Sequence, residues 1–119
     1  MPGRSTGHVR PLVARCLVVV LLGVGAAFPS SGDAAAAPTT FTIVIEAVRF
    51  EPAMVAVKRG DVVIWINKDP VPHSVVAQGH FDSHSIAPGG TWKYVARTAG
   101  QYGYFCSFHP TMKGELRVE

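Results

Sequence analysis

From Pro38 to Glu119 no stretch of the chain sustains a helical period, and glycine or proline interrupts it at short intervals. A chain so punctuated cannot form helices long enough to pack as a bundle, which leaves short strands. Phe41–Glu46 places Phe41, Ile43 and Ile45 on one side, the two-residue period of a half-buried strand. Pro52 ends the next loop, and Met54–Lys58 reads as a second strand. Lys58–Asp61 is a turn in which Gly60 is free to take positive φ. Asp61–Asn67 is apolar on both faces, as expected for a strand inside a sandwich. Ser74–Ala77, Trp92–Arg97, Tyr102–Cys106 and Gly114–Glu119 complete the set, with Leu116 and Val118 pointing inward in the last. Seven or so short strands in a single domain make an all-β, antiparallel sandwich or barrel the economical architecture. Trp65, Trp92, Tyr94, Tyr102 and Phe105 are its expected core.

Ahead of this domain, residues 1–15 carry Arg4, Arg10 and Arg15 and no acid. Cys16–Phe28 is an apolar run of 13 residues, followed by Pro29, Ser30 and Ser31 and then by Ala34–Ala37. This is the order of a secretory signal peptide. The apolar run falls short of the roughly 20 residues that span a membrane. Cys16 precedes the run instead of ending it, which argues against a lipid anchor. The pattern predicts a signal peptide over residues 1–36, cut after Ala36, and an exported domain over residues 37–119. That domain would be periplasmic or otherwise extracytoplasmic, secreted without a stable membrane anchor. The leader also accounts for most of the basic charge. The whole chain carries +3, but from Pro38 onward 8 Lys/Arg face 7 Asp/Glu. No basic stripe remains to follow a phosphate backbone, which excludes nucleic acid.

Loss of the leader would remove Cys16 and leave Cys106 alone, with no partner for an internal disulfide. A lone thiol in an oxidising compartment is a liability unless it is buried, paired with another chain or held by a metal. Its neighbours favour the metal. Cys106-Ser-Phe-His109-Pro-Thr-Met112 offers a thiolate, an imidazole and a thioether at three-residue steps on one loop. Pro72-His73, just after the strand ending at Asn67, can bring a second imidazole to the same end of a sandwich. One Cys, two His and a weak axial Met make up a blue-copper electron-transfer site. Thiolate and imidazole suit both Cu(II) and Cu(I), so a rigid site of this kind needs little rearrangement when an electron arrives.

On these residues the chain resembles the small blue-copper cupredoxins, of the amicyanin and plastocyanin type. The motifs are Gly60-Asp-Val-Val-Ile-Trp-Ile-Asn67, Pro72-His73 and Ala99-Gly-Gln-Tyr-Gly-Tyr-Phe-Cys-Ser-Phe-His-Pro-Thr-Met-Lys-Gly114. The resemblance covers about Phe41 to Glu119 and implies a Greek-key β-sandwich of about seven to eight strands. It implies one type 1 copper ion, with His73, Cys106, His109 and Met112 in the positions of the metal ligands. The short C-x-x-H-x-x-M spacing is that of amicyanins. Two residues depart from the pattern. Ser74 stands where the family commonly has an Asn that ties the ligand loops together. Phe108 stands where a Pro is usual, so its backbone N–H could reach the Cys106 sulfur and favour Cu(I).

The resemblance further implies a one-electron carrier that cycles Cu(II)/Cu(I) between redox proteins such as a dehydrogenase or a cytochrome. Docking would be transient, near His109, on an apolar patch formed by Pro72, Phe108 and Pro110, with the carrier a monomer. A copper enzyme is disfavoured, because Phe105 and Ser107 flank the Cys where such enzymes place histidine, and four ligands leave no open position. Copper storage or delivery is the alternative, although only Met54 and Met112 would be available as thioethers in the exported domain. His80 and His84 would lie ~13 Å apart in an extended segment and are read as surface residues.

Overall fold

A computed structural model of the protein describes residues 36–119, together with positions 3, 7, 23 and 25–28. Apart from those few positions, the leader predicted over residues 1–36 lies outside the described residues. The chain divides into two units, Met1–Ala34 and Ala35–Glu119, and the fold belongs to the second.

Among the described residues there are nine strands and no helix. They are β1 (Thr40–Glu46), β2 (Arg49–Glu51), β3 (Met54–Val57), β4 (Val62–Asn67), β5 (Val76–Ala77), β6 (Phe81–Asp82), β7 (Thr91–Val95), β8 (Gly100–Phe105) and β9 (Lys113–Val118). They form one sheet in the order β2-β1-β4-β7 and another in the order β3-β9-β8-β5-β6. This is an all-β sandwich. Strands β2 and β6 go beyond the seven read from sequence. Each contributes a single buried residue, Phe50 or Phe81, too little for an alternation to show. Nor is the pairing antiparallel throughout, as the sequence suggested: β1 runs parallel to β4, and β3 to β9. The chain crosses between the sheets repeatedly, so strands distant in sequence come to lie side by side.

Alternation explains the inner faces. Ile43 and Ile45 of β1 and Val63 and Trp65 of β4 are fully buried, as is Leu116 of β9 in the other sheet. β4 is flanked by β1 and β7, and its outward residues are half-buried as well, which is why it reads as apolar on both sides. The turn before it has Gly60 at φ 94°, the freedom the sequence called for.

Edge strands β7 and β6 belong to different sheets, and aromatic rings fill the gap between them. Phe81 packs on Tyr94 at 4.5 Å and on Trp92 at 5.7 Å, and Trp92 lies 5.4 Å from Trp65. Such a wall contributes by area and by ring geometry, and it covers edges that would otherwise be open. One expected core residue is displaced. Phe105 is only half-buried, because alternation along β8 turns Tyr102, Tyr104 and then Cys106 inward.

Tyr104 packs edge-on against Phe50 and Trp65, at 4.8 and 5.6 Å. Its hydroxyl and the Trp65 indole nitrogen are both buried without a partner in hydrogen-bond geometry. Burial pushes the phenol up to about 12, with the indole N–H nearby pulling slightly the other way. A buried hydroxyl left unpaired costs about 1–3 kcal/mol, so Tyr104→Phe is expected to leave stability at pH 7 unchanged or higher. The alkaline limb should change too. A phenol whose folded pKa is raised contributes stability that is intact below about 10 and lost as the pH rises through about 12, on the order of 2–3 kcal/mol. Urea unfolding of both proteins at pH 7 and pH 11.5 checks this. A substitution that destabilises at pH 7 or leaves the alkaline loss unchanged would contradict it. Some loss should persist from Tyr94, whose phenol is also raised, by burial first and by Tyr102 second.

Candidate metal centre

The site lies where β4 and β8 end and β9 begins. Asn67, the last residue of β4, is fully buried and holds the following loop in shape. Its Nδ2 donates to the carbonyls of Val71 (2.8 Å) and Ile86 (3.0 Å), and its Oδ1 accepts the Asp69 N–H (3.0 Å). His73 is then fixed by a two-bond backbone bridge to Ile86, at 3.1 and 2.7 Å, and is 0% exposed.

The other donors come from the loop between β8 and β9. The His109 N–H donates to the Cys106 carbonyl (3.2 Å), the Met112 N–H to the His109 carbonyl (2.9 Å), and the Cys106 N–H back to the Met112 carbonyl (3.0 Å). Each three-residue step is therefore one closed turn, which is the structural content of C-x-x-H-x-x-M. Cys106 and Met112 are buried, while His109 is half-exposed.

These residues converge. His73 Nδ1 lies 3.6 Å from Cys106 Sγ, and His109 Nδ1 lies 3.9 Å from it. The three donor atoms are all within 4.8 Å of one another. A first-row ion about 2.0 Å from nitrogen and about 2.3 Å from sulfur, in a trigonal plane, separates the two donor types by about 3.7 Å. The spacing fits a single ion. Met112 ends the same loop and is buried, and thiolate, imidazole and thioether together are of the softness that copper accepts.

A family model described as a Cupredoxin-like domain matches residues 17–118. The chain belongs to the cupredoxin-like family. Its relatives include amicyanin of Paracoccus versutus, 28% identical over 97% of this chain and 98% of that one. Plastocyanin of Scenedesmus fuscus is 36% identical, over 61% of this chain and 89% of its relative. Among solved structures, an oxidised mutant of amicyanin superposes with a TM-score of 0.65 at 28% identity, covering 67% of this chain and 82% of that one. A copper-containing nitrite reductase from Thermus scotoductus reaches 0.64 at 25% identity, but only 23% of that chain is matched. The cofactor of this cupredoxin is copper, which its donor set fits.

Around the sulfur the two departures behave differently. The Ser74 N–H donates to Cys106 Sγ at 3.3 Å. Its hydroxyl accepts the Ser107 N–H (2.8 Å) and meets the Ser107 hydroxyl (2.7 Å), so it ties the His73 and Cys106 loops together in place of the usual Asn. The second amide bond expected from Phe108 does not form. Its N–H is not among the groups bonded to the sulfur, which takes the Ser74 N–H and meets the His73 and His109 rings. The basis for a raised potential through Phe108 therefore falls.

Sequence reasoning missed Asp69. Its carboxylate accepts the N–H groups of Ala47 (2.7 Å) and Val48 (2.9 Å) and meets His73 Nε2 at 2.8 Å. Burial acts to raise its pKa, but the hydrogen bonds from Val48, His73 and Ala47 outweigh that and hold it below the usual value. An acid four residues before the His was the available signal. At the surface, Phe108 (53% exposed) and Pro110 flank His109 in the chain, and exposed Pro70, Val71 (41%) and Pro72 lead into His73, whose ring lies 5.0 Å from that of His109. His80 and His84 are exposed and stand apart from the donor cluster.

Proposed function

We propose that this cupredoxin is an exported one-electron carrier whose copper is held by His73, Cys106, His109 and Met112. The observation that carries the reading is the convergence of one buried sulfur and two imidazoles within 4.8 Å, two of them from a loop closed on itself by backbone bonds. Copper supplies a Cu(II)/Cu(I) couple there. The chain's part is to keep the donors still. The Asn67 clamp and the Ile86 bridge hold the His73 loop, and the Ser74–Ser107 tie joins it to the Cys106 loop, so the donor geometry need not relax with oxidation state. His109, half-exposed within the apolar rim of Val71, Phe108 and the three prolines, is the port for a redox protein such as a dehydrogenase or cytochrome. A rim of that size suits a brief encounter between a monomeric carrier and its partner. Four donors would leave no position for a substrate, which supports a carrier over a catalytic centre.

Voltammetry of the copper-loaded protein, with and without a Cu(I) chelator, tests this. A reversible one-electron wave with the metal retained is expected. Rapid loss of the ion to the chelator on reduction would instead favour storage or delivery of copper.

A further inference from the structure

We propose that Asp69 is a positioning residue that decides which nitrogen of His73 faces the donor cluster, an inference that rests on the copper reading above. An imidazole presents a lone pair at one nitrogen only when the other carries the proton, and the group facing that other nitrogen makes the choice. An ionised carboxylate can only accept. With Asp69 Oδ2 at 2.8 Å, Nε2 must hold the hydrogen, which leaves the Nδ1 lone pair directed at the cluster, 3.6 Å from the sulfur. His73 is 0% exposed and Asp69 8%, so water does not compete for either group.

What fixes the carboxylate is the turn between β1 and β2. Ala47 and Val48 are both left-handed, at φ 51° and 56°. That conformation is costly for a β-branched residue. It aims two successive N–H groups at one point, an arrangement that binds anions. Asp69 Oδ1 takes one and Oδ2 the other, while its own N–H is held by Asn67. The strained turn and the metal ligand are thus joined through one side chain. Val48 of that turn is 43% exposed, so the connection starts at the surface.

The negative charge has a second effect. Placed on the far side of a ligand imidazole, it stabilises the more positive oxidation state of the ion.

Asp69→Asn separates these roles from simple packing. An amide oxygen can still accept one turn N–H, but the amide nitrogen opposes either a second N–H or Nε2. In the metal-free protein, side-chain nitrogen NMR should show native His73 protonated at Nε2, and a mixture of tautomers in the variant. In the copper-loaded protein the ratio of Cu(II) to Cu(I) affinity should fall about tenfold, a rise in potential of about 59 mV for one electron. Asp69→Glu should recover most of both. A native His73 protonated at Nδ1 overturns the proposal without any variant, even if Asp69→Asn fails to fold. Unchanged tautomer and unchanged potential in Asp69→Asn overturn it equally. Loss of the carrier reading would be seen separately, as the lack of a thiolate-to-copper absorption band in the native protein.

Discussion

Cys106→Ser is expected to abolish the intense visible absorption of the Cu(II) protein while leaving the metal-free fold nearly intact. The band requires charge transfer from a thiolate to the ion, and no other described residue offers sulfur of that kind: Cys106 is the free cysteine of the domain, buried among the donors. A serine hydroxyl stays protonated and is a hard, neutral donor that suits Cu(I) poorly. His73 and His109 would still hold Cu(II), weakly and with ordinary pale colour. Their rings lie only 5.0 Å apart between centroids. The Ser74 N–H would keep an acceptor, since the new hydroxyl takes the place of the sulfur 3.3 Å away. The metal-free proteins should therefore melt within a few degrees of each other. With copper the two should diverge. An ion at 1,000 times its Kd stabilises the native state by about 4.1 kcal/mol, and most of that increment should vanish with the thiolate. Visible spectra and thermal melts with and without Cu(II) check both halves. A serine variant that keeps the band would remove Cys106 from the ligand set, and with it the carrier reading.

The thiol and the two imidazoles that the fold brings within 4.8 Å of one another were legible because their chemistry is local. The step from Cys106 to His109 to Met112 is written in the chain, and the turns that close it need only those seven residues. His73 was legible through Pro72 and the strand before it. The groups that hold the donors were harder to see, since they act across the fold. Asp69 matters because the β1–β2 turn, 21 and 22 residues away in sequence, offers it two amides. Ser74 and Ser107 meet over a separation of 33. Nothing in a one-dimensional pattern says that these loops touch. The same limit explains the fold. The longer strands were found from sequence, β1 and β9 by their alternation and β4 as a continuous apolar run. β2 and β6 are strands only because a neighbour pairs with them, and the parallel pairing of β1 with β4 follows from chain crossings that no local period records. Phe105 was misplaced in the core for a related reason: a run of consecutive aromatics conceals which of them alternation turns inward.

Gly114→Ala is expected to be the most destabilising single-methyl change in the domain. Gly114 faces Tyr104 across the β8–β9 pair, and the phenol ring lies directly over its Cα. A Cβ built there would overlap the ring and hydroxyl of Tyr104, closer than real Cβ contacts allow. The ring cannot swing aside cheaply, because Phe50 stands 4.8 Å from it on one side and Trp65 5.6 Å on another. Moving the strand is no easier, since Gly114 is the second residue of β9 and Met112 ends the ligand loop two positions earlier. Overpacking a dense core costs about 1–3 kcal/mol and more when neither partner can yield. Here the expected loss is about 3 kcal/mol, a large share of what a domain of this size has. The cause can be isolated with a smaller neighbour. In a Tyr104→Leu background the ring is gone, and adding Gly114→Ala should cost less than about 1 kcal/mol, leaving a coupling of about 2 kcal/mol between the two sites. Urea unfolding of the four proteins measures it. Additive costs would mean that the glycine is required by the backbone of β9 and not by the ring above it. A strong coupling would explain why a glycine stands inside a strand next to the metal site: it leaves room for the aromatic residue that packs two positions before the sulfur ligand.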